Sequence, residues 1–232
     1  MNILCIIPAR SGSKSIHNKN IRKINGKPLL AYSIEHAINS KYITRIIIST
    51  DSVKYGNIAK KYGAEFLFRR PKNISGDSST DLEVFKHALN WLQENEGYEP
   101  NIIVHLRPTY PIRKSIDIDN MIELILNDSK IDSVRSIVKS SNTPYKMWFL
   151  NKNKEIKPIL KSKIKDAYNQ PRQKLPNTFI QNACIDIIRT STILELNSMS
   201  GSVIYGYEMN HFWDIDDIEH LINVKKYFKK NG

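Results

Sequence analysis

An α/β fold with a mostly parallel sheet is predicted by three features of the sequence. From Asn2 to Val138, β-branched apolar runs alternate with segments of helical spacing. The runs are apolar throughout, as in strands covered on both faces. Small, basic or proline-containing segments follow several of them, at the strand ends where open α/β sheets bind ligands.

The elements follow in order. Asn2–Ile7 reads as a buried strand, and Pro28–Ser40 as a helix with proline in its first turn. Arg45–Ser49 is a second buried strand. Ser52–Tyr62 is a short amphipathic helix stopped by Gly63. Ala64–Phe68 reads as a third strand. Asp77–Asp81 supplies caps for a helix over Leu82–Asn95. Asn101–Leu106 is a fourth strand, Ser115–Leu126 a helix and Ser133–Val138 a further strand. The pattern then breaks: Ser140–Asn182 is rich in Pro, Asn and Lys and reads as an inserted arm for dimer contacts or a lid. Alternation returns in Ala183–Arg189 and Val203–Tyr207, and a helix over Ile218–Lys230 closes the chain. Without repeats or low-complexity linkers, residues 1–232 read as one domain carrying an arm at 140–182.

Composition narrows the function classes. Hydrophobic residues make up 41% of the 232, and charged residues 25%, which excludes a disordered polar chain. The apolar run Ile3–Ile7 is too short for a signal peptide core, and no run reaches the roughly 18 residues of a membrane span. Cys5 and Cys184 sit in or beside apolar runs and read as buried thiols of a reducing compartment, so a cytoplasmic location is expected. The net charge of +12 comes from 25 scattered lysines and 10 arginines. No arginine tract or aromatic-interleaved basic stripe accompanies it, so nucleic acid is not an expected partner.

Four segments carry candidate chemistry. Pro8–Asn20 follows the first strand with small residues and the cations Arg10 and Lys19, which suits a triphosphate. It lacks the Gly-Lys-Ser/Thr ending of a Walker loop, and a plain basic loop is the alternative. Arg69-Arg70-Pro71, with Gly76–Asp81, offers both caps and an anion surface. Arg107-Pro108-Thr109-Tyr110-Pro111-Ile112-Arg113 is a stiffened loop after the fourth strand. Asp214 and Asp216 alternate, so an extended backbone would aim both carboxylates one way, as Mg²⁺ sites use them; by spacing alone, capping of the last helix by Asp216 or Asp217 is the better reading. Of the histidines, His17 lies in the basic loop, whereas His105 reads as a satisfied core residue.

Taken together and in order, these segments resemble the acylneuraminate cytidylyltransferases. The resemblance rests on Ile7-Pro8-Ala9-Arg10 through Ser13-Lys14 to Lys19-Asn20, then Gly26-Lys27-Pro28-Leu29, Ser49-Thr50-Asp51, Arg70-Pro71 and Asp77-Ser78-Ser79-Thr80. It continues through Arg107-Pro108-Thr109, Pro171-Arg172-Gln173, Asn182 and Asp214-Ile215-Asp216. The resemblance implies a nucleotide-diphospho-sugar-transferase-like sheet, a homodimer formed through the arm, and CMP transfer from CTP to a nine-carbon keto-sugar acid. It implies nucleotide contacts from Ala9, Arg10, Ser11, Lys19, Asn20, Arg70, Ser78 and Ser79. Sugar contacts would come from Arg107, Thr109, Arg172, Gln173 and Asn182. Arg10, Lys19, Arg172 and Asp216 would be catalytic, with Mg²⁺ on Asp214 and Asp216.

The chain departs from the family pattern at Ser15, His17, Arg107 and Ala183, where the family has Gly, Pro, Gln and Gly. Arg107 bears on the sugar, because a guanidinium in place of an amide changes charge and donors together. A legionaminic, pseudaminic or amino-octulosonic acid is therefore expected as readily as N-acetylneuraminic acid. Keto-deoxy-octulosonate activation and a non-catalytic nucleotide-binding subunit are the competing readings. The second predicts loss of Lys19, Asp214 or Asp216, and all three are present.

Overall fold

Strands that are apolar on both faces need cover on both faces, and the sheet has it. The computed structural model describes residues 1–231. In chain order its elements are β1 (Ile3–Pro8), β2 (Lys23–Ile24), β3 (Lys27–Pro28), α1 (Leu29–Ile38), β4 (Arg45–Ser49), α2 (Val53–Lys61), α3 (Asp81–Glu96) and β5 (Ile102–Leu106). Then come α4 (Ser115–Asn127), β6 (Ser133–Lys139), β7 (Trp148–Leu150), β8 (Ile156–Pro158), β9 (Phe179–Arg189), α5 (Thr190–Leu194), β10 (Ile204–Met209) and α6 (Ile218–Asn231). Gly232, the end of the expected domain, lies outside the described residues.

The main sheet has the order β10-β6-β9-β5-β1-β4. β1 runs parallel to β4 and β5, and β10 parallel to β6. β9 enters antiparallel between β5 and β6, because the chain returns to the sheet from the arm. Alternate residues of β1 divide the core. Ile3, Cys5 and Ile7 pack with Leu30 and Ile34 of α1 and Ile118 and Ile122 of α4. Leu4 and Ile6 pack with Phe85, Ala88 and Leu92 of α3. Period two in the strand thus meets helical spacing on each side. A smaller cluster joins Ile16 and Ile24 to Ile215, Leu221 and Val224, and so ties the loop after β1 to α6.

Several expectations are corrected. Ala64–Phe68 is no strand of the sheet; the segment meets β4 at one isolated bridge, Ile47 with Glu65, and a second follows just past both, Thr50 with Arg69. Between them the Phe66 ring lies where a side chain on Gly56 of α2 would have to be, which only glycine permits. α3 begins one residue earlier than expected and is capped from within Asp77–Asp81 by Thr80, whose Oγ1 accepts from Glu83 N while Glu83 Oε2 accepts from Thr80 N, a capping box. Pro28 precedes α1 and pairs with Lys23 in a two-residue hairpin whose turn, Asn25-Gly26, has φ of 46° and 77°. That dipeptide is the sequence signal that the element reading passed over. The last helix is capped by Asp217, whose Oδ1 accepts from His220 N at 2.8 Å, which leaves Asp216 free of that duty.

The arm is shorter than 140–182, since β9 already begins at Phe179 and pairs with the end of β6. The rest is a hairpin of β7 and β8 among single helical turns. Its side chains Phe149, Leu150 and Ile156 are 64%, 70% and 54% exposed, an apolar face with no cover within one chain.

Candidate active site

A cleft of about 500 Å³ opens at the carboxyl ends of β1 and β5. Three loops and the segment before α6 wall it, which is where an open α/β sheet places ligands. Eight of the residues marked from sequence line it: Arg10, Lys19, Asn20, Arg70, Ser79, Arg107, Thr109 and Asp216.

One wall is cationic. Asn20 Nδ2 donates to the Arg10 carbonyl at 3.0 Å and closes the loop on itself. The Lys19 ammonium donates to the Ile215 carbonyl at 2.9 Å and lies 3.7 Å from Asp216 Oδ1, so loop and α6 approach stay in register. Arg10 Nη1 lies 2.6 Å from Asp77 Oδ1, and Lys14 meets the other oxygen of the same carboxylate. Arg70 is only 5% exposed, yet its Nε and Nη2 have no hydrogen-bond partner. Burial lowers its pKa, although Asp51 works in the opposite direction. A buried guanidinium with idle donors beside a cleft calls for an anion or a set of acceptor oxygens.

The floor is different. Arg107 Nη1 donates to Asp186 Oδ2 at 2.7 Å, and Nη2 to Asp81 Oδ2 at 3.2 Å. His105 lies beneath them, fully buried and neutral: burial first, then the Arg107 charge, pull its pKa well below the usual value. Its ring Nδ1 is 3.6 Å from Asp186 Oδ2, and neither ring nitrogen has a hydrogen-bond partner. The core position agrees with the expectation, whereas the satisfied hydrogen bonding expected there is not found. His17, by contrast, is exposed and does not line the cleft.

Asp216 lines the cleft beside Lys19, whereas Asp214, two residues earlier, is half-buried and is not among the lining residues. Burial and, to a lesser degree, the nearby Asp216 charge raise the pKa of Asp214, although its bond with Thr109 opposes the shift. Its Oδ1 is buried without a partner. Among the described residues no three acidic, histidine or cysteine side chains converge on one point. Two carboxylates, one with an idle buried oxygen, nonetheless suit Mg²⁺, which takes one or two carboxylates and fills its shell with phosphate oxygens and water.

Other marked residues lie elsewhere. Ala9 is buried, and its N–H donates to the Ser49 carbonyl at 2.9 Å, so it supports the loop from below. Ser11 gives both its N–H and its hydroxyl to Asp51, at 2.8 and 2.6 Å. Burial pushes Asp51 up, but these bonds and Arg70 outweigh it and hold the carboxyl low. Ser78 is exposed and outside the cleft. Arg172 donates to the Ser140 carbonyl at 2.7 Å within the arm, and Gln173 beside it is exposed, so neither reaches the cleft of its own chain. Asn182 is fully buried; its Oδ1 accepts from Ser136 Oγ at 2.6 Å, and its amide faces Met209 and the His211 carbonyl. At the register break between β6 and β9 it turns inward, and it does not line the cleft. Sequence reasoning passed over Asp186, although a lone carboxylate inside the apolar run Cys184–Ile188 was a signal.

A family model described as cytidylyltransferase matches residues 4–198. The chain belongs to the cytidylyltransferase family. This cytidylyltransferase is 32% identical over 239 residues to the CMP-N,N'-diacetyllegionaminic acid synthase of Campylobacter jejuni, a match that covers 99% of this chain and 98% of the relative. It is 41% identical over 139 residues to the N-acylneuraminate cytidylyltransferase of Escherichia coli, across 60% of this chain and 32% of that longer protein. In fold, it matches a CMP:2-keto-3-deoxy-manno-octonic acid synthetase solved with CTP, with a TM-score of 0.75, 15% identity and full coverage of both chains. The cleft of the cytidylyltransferase thus sits on a sheet of known nucleotidyltransferase type. Among its described residues, no helix is long and apolar enough to cross a membrane.

Proposed function

We propose that this cytidylyltransferase moves CMP from CTP to the anomeric hydroxyl of a sialic-acid-like nonulosonic acid. The observation that carries the reading is the idle buried guanidinium of Arg70 facing a cleft whose walls also hold Arg10, Lys19 and Asp216. In the reaction the anomeric oxygen forms a bond to the α-phosphorus, the bond to the bridging oxygen breaks, and pyrophosphate leaves. Such displacement depends on positioning and on neutralising charge. Arg10, Lys14 and Lys19 offset the charge that grows on the departing pyrophosphate. Arg70, Asn20 and Ser79 hold the nucleotide. Asp216, exposed and facing the cleft, takes up the hydroxyl proton, which an anomeric centre gives up more readily than an ordinary alcohol. Mg²⁺ on Asp214 and Asp216 would supply Lewis-acid polarisation of the phosphoryl oxygens.

Arg107 and Thr109, which line the cleft, would contact the sugar. The likeness to the legionaminic acid synthase named above supports a sialic-acid relative over a simple octulosonate as the substrate. Arg172 and Gln173 would act on the sugar only from a second copy. The apolar face of the arm is suited to that homodimer. The buried free thiols Cys5 and Cys184 fit a cytoplasmic setting.

Pyrophosphate release with CTP and Mg²⁺ across a panel of nonulosonic and octulosonic acids tests the reading, with ATP, GTP and UTP as controls. Release with CTP and a nonulosonic acid is expected. No release, together with no CTP binding by calorimetry, would overturn it.

A further inference from the structure

Asp186 is 2% exposed in the middle of β9, between Ile185 and Ile187, both fully buried. A carboxylate is costly in such a place, and an apolar pair would serve stability at least as well. Its two oxygens are nevertheless both used. Oδ2 accepts from Arg107 at 2.7 Å, and Oδ1 accepts from Gln181 Nε2 at 3.3 Å. Gln181 is itself held by Arg135, whose Nη1 donates to Oε1 at 2.8 Å. A chain of contacts therefore runs from the surface of β6 to the floor of the cleft, and it ends on one guanidinium.

We propose that Asp186 is a positioning residue that sets which sugar acid the cleft accepts, and that it acts through Arg107. The proposal rests on the reading of the cleft as a CTP and sugar-acid site. The geometry says what Arg107 is being positioned to do. Two of its five N–H donors go to Asp186 and Asp81, which leaves the others for the cleft. Above a neutral His105, the Arg107 cation meets two carboxylates at once, so its charge is already met before a sugar carboxylate arrives. Such a cluster disfavours the carboxylate of the sugar, which belongs nearer the cationic wall. What it offers instead is a donor from Arg107 beside an acceptor on Asp81, whose side chain is 45% exposed. A neutral acylamino group, with one carbonyl acceptor and one N–H donor, is the complement of that pair. Without Asp186 the guanidinium is free to swing toward the phosphates or toward Asp81 alone, and the donor–acceptor spacing is lost.

The test is steady-state kinetics on an acetamido-bearing nonulosonic acid and on its hydroxyl analogue, with CTP varied separately. Wild type, Asp186→Asn, Arg107→Gln and the double variant form a cycle. Asp186→Asn is expected to raise KM for the acetamido sugar about tenfold and to shrink its preference over the hydroxyl analogue, with KM for CTP within about twofold of wild type. The double variant is expected to match Arg107→Gln alone. Equal changes in the KM of CTP and of sugar, or losses that multiply in the double variant, would overturn the proposal. Should Asp186→Asn fail to fold, Arg107→Lys keeps the charge but loses the fork, and an unchanged sugar preference there overturns it as well. An active wild type with unmoved variant ratios sinks the pairing alone. A wild type inactive on every sugar sinks the reading of function, and the pairing with it.

Discussion

Asp77 Oδ1 lies 2.6 Å from Arg10 Nη1 across the mouth of the cleft, and the same carboxylate holds Lys14. Two of the cations best placed for a triphosphate are thus already occupied by an anion of the protein. A bound nucleotide has to displace that carboxylate or share the cations with it.

Asp77→Asn is therefore expected to tighten CTP binding about threefold at low salt, and the gain should fade as ionic strength rises. Calorimetric titration at two salt concentrations measures both effects. Equal affinity for wild type and variant would show that Asp77 does not compete with phosphate.

Asp216→Asn is expected to lose about 10²–10³ in kcat, or ~3–4 kcal/mol of transition-state stabilisation, with the fold intact. Asp216 is 68% exposed in its side chain and Asp217 caps α6, so little folding stability depends on it. A thermal melt with and without Mg²⁺ separates the roles of the pair. The ion is expected to raise the wild-type Tm but not that of Asp214→Asn, because a ligand that binds only the folded state stabilises it. Near-normal turnover in Asp216→Asn would remove it from the reaction.

Acid is expected to weaken the fold before the carboxylates titrate. Burial, then the Arg113 charge, lowers His36 to about 3, and His105 also stays neutral in the folded chain. The unfolded chain takes up protons at both positions near pH 6.5. The folded pKa values lie below the unfolded ones, so this stability is present above pH 6.5 and is lost as pH falls below it. Between pH 6.5 and pH 5 the loss from His36 is roughly 2 kcal/mol, and His105 adds to it in the same direction. Urea midpoints at pH 7 and pH 5 measure it, and His36→Gln should remove the His36 part of the drop. An unchanged drop in that variant would assign it to other groups.

Ala183 has a φ of 56°, the left-handed region that favours glycine, at the register break that turns Asn182 into the core. Ala183→Gly is expected to stabilise the protein by about 1 kcal/mol, visible as a higher urea midpoint, because the Cβ strain of an L-residue there is relieved. A lower midpoint would mean that the strain is smaller than the chain entropy that glycine adds.

Much of the fold was legible because its strands are long apolar runs. β1, β4 and β5 differ from the reading by no more than one residue at either end, and the buried helices follow their spacing. Ala64–Phe68 misled because an extended apolar segment looks alike in sequence whether it pairs along its length or touches at a single bridge. Arg10, Lys19, Arg70 and Asp216 were legible because they stand in loops at strand ends, where charged side chains meet the cleft. Asn182 was not, since its burial depends on a bulge set by how β9 meets β6.

By itself the sequence determined the parallel core, the basic loop after β1, the absence of a disulfide framework and the family resemblance, all of which rest on residue types and local spacing. Only the tertiary structure decided that Arg107 is held between Asp81 and Asp186, that Arg10 and Lys14 share Asp77, and that Arg172 stays in the arm. Those relations join residues 26 to 79 positions apart, and their energies depend on distance and burial that no local pattern encodes.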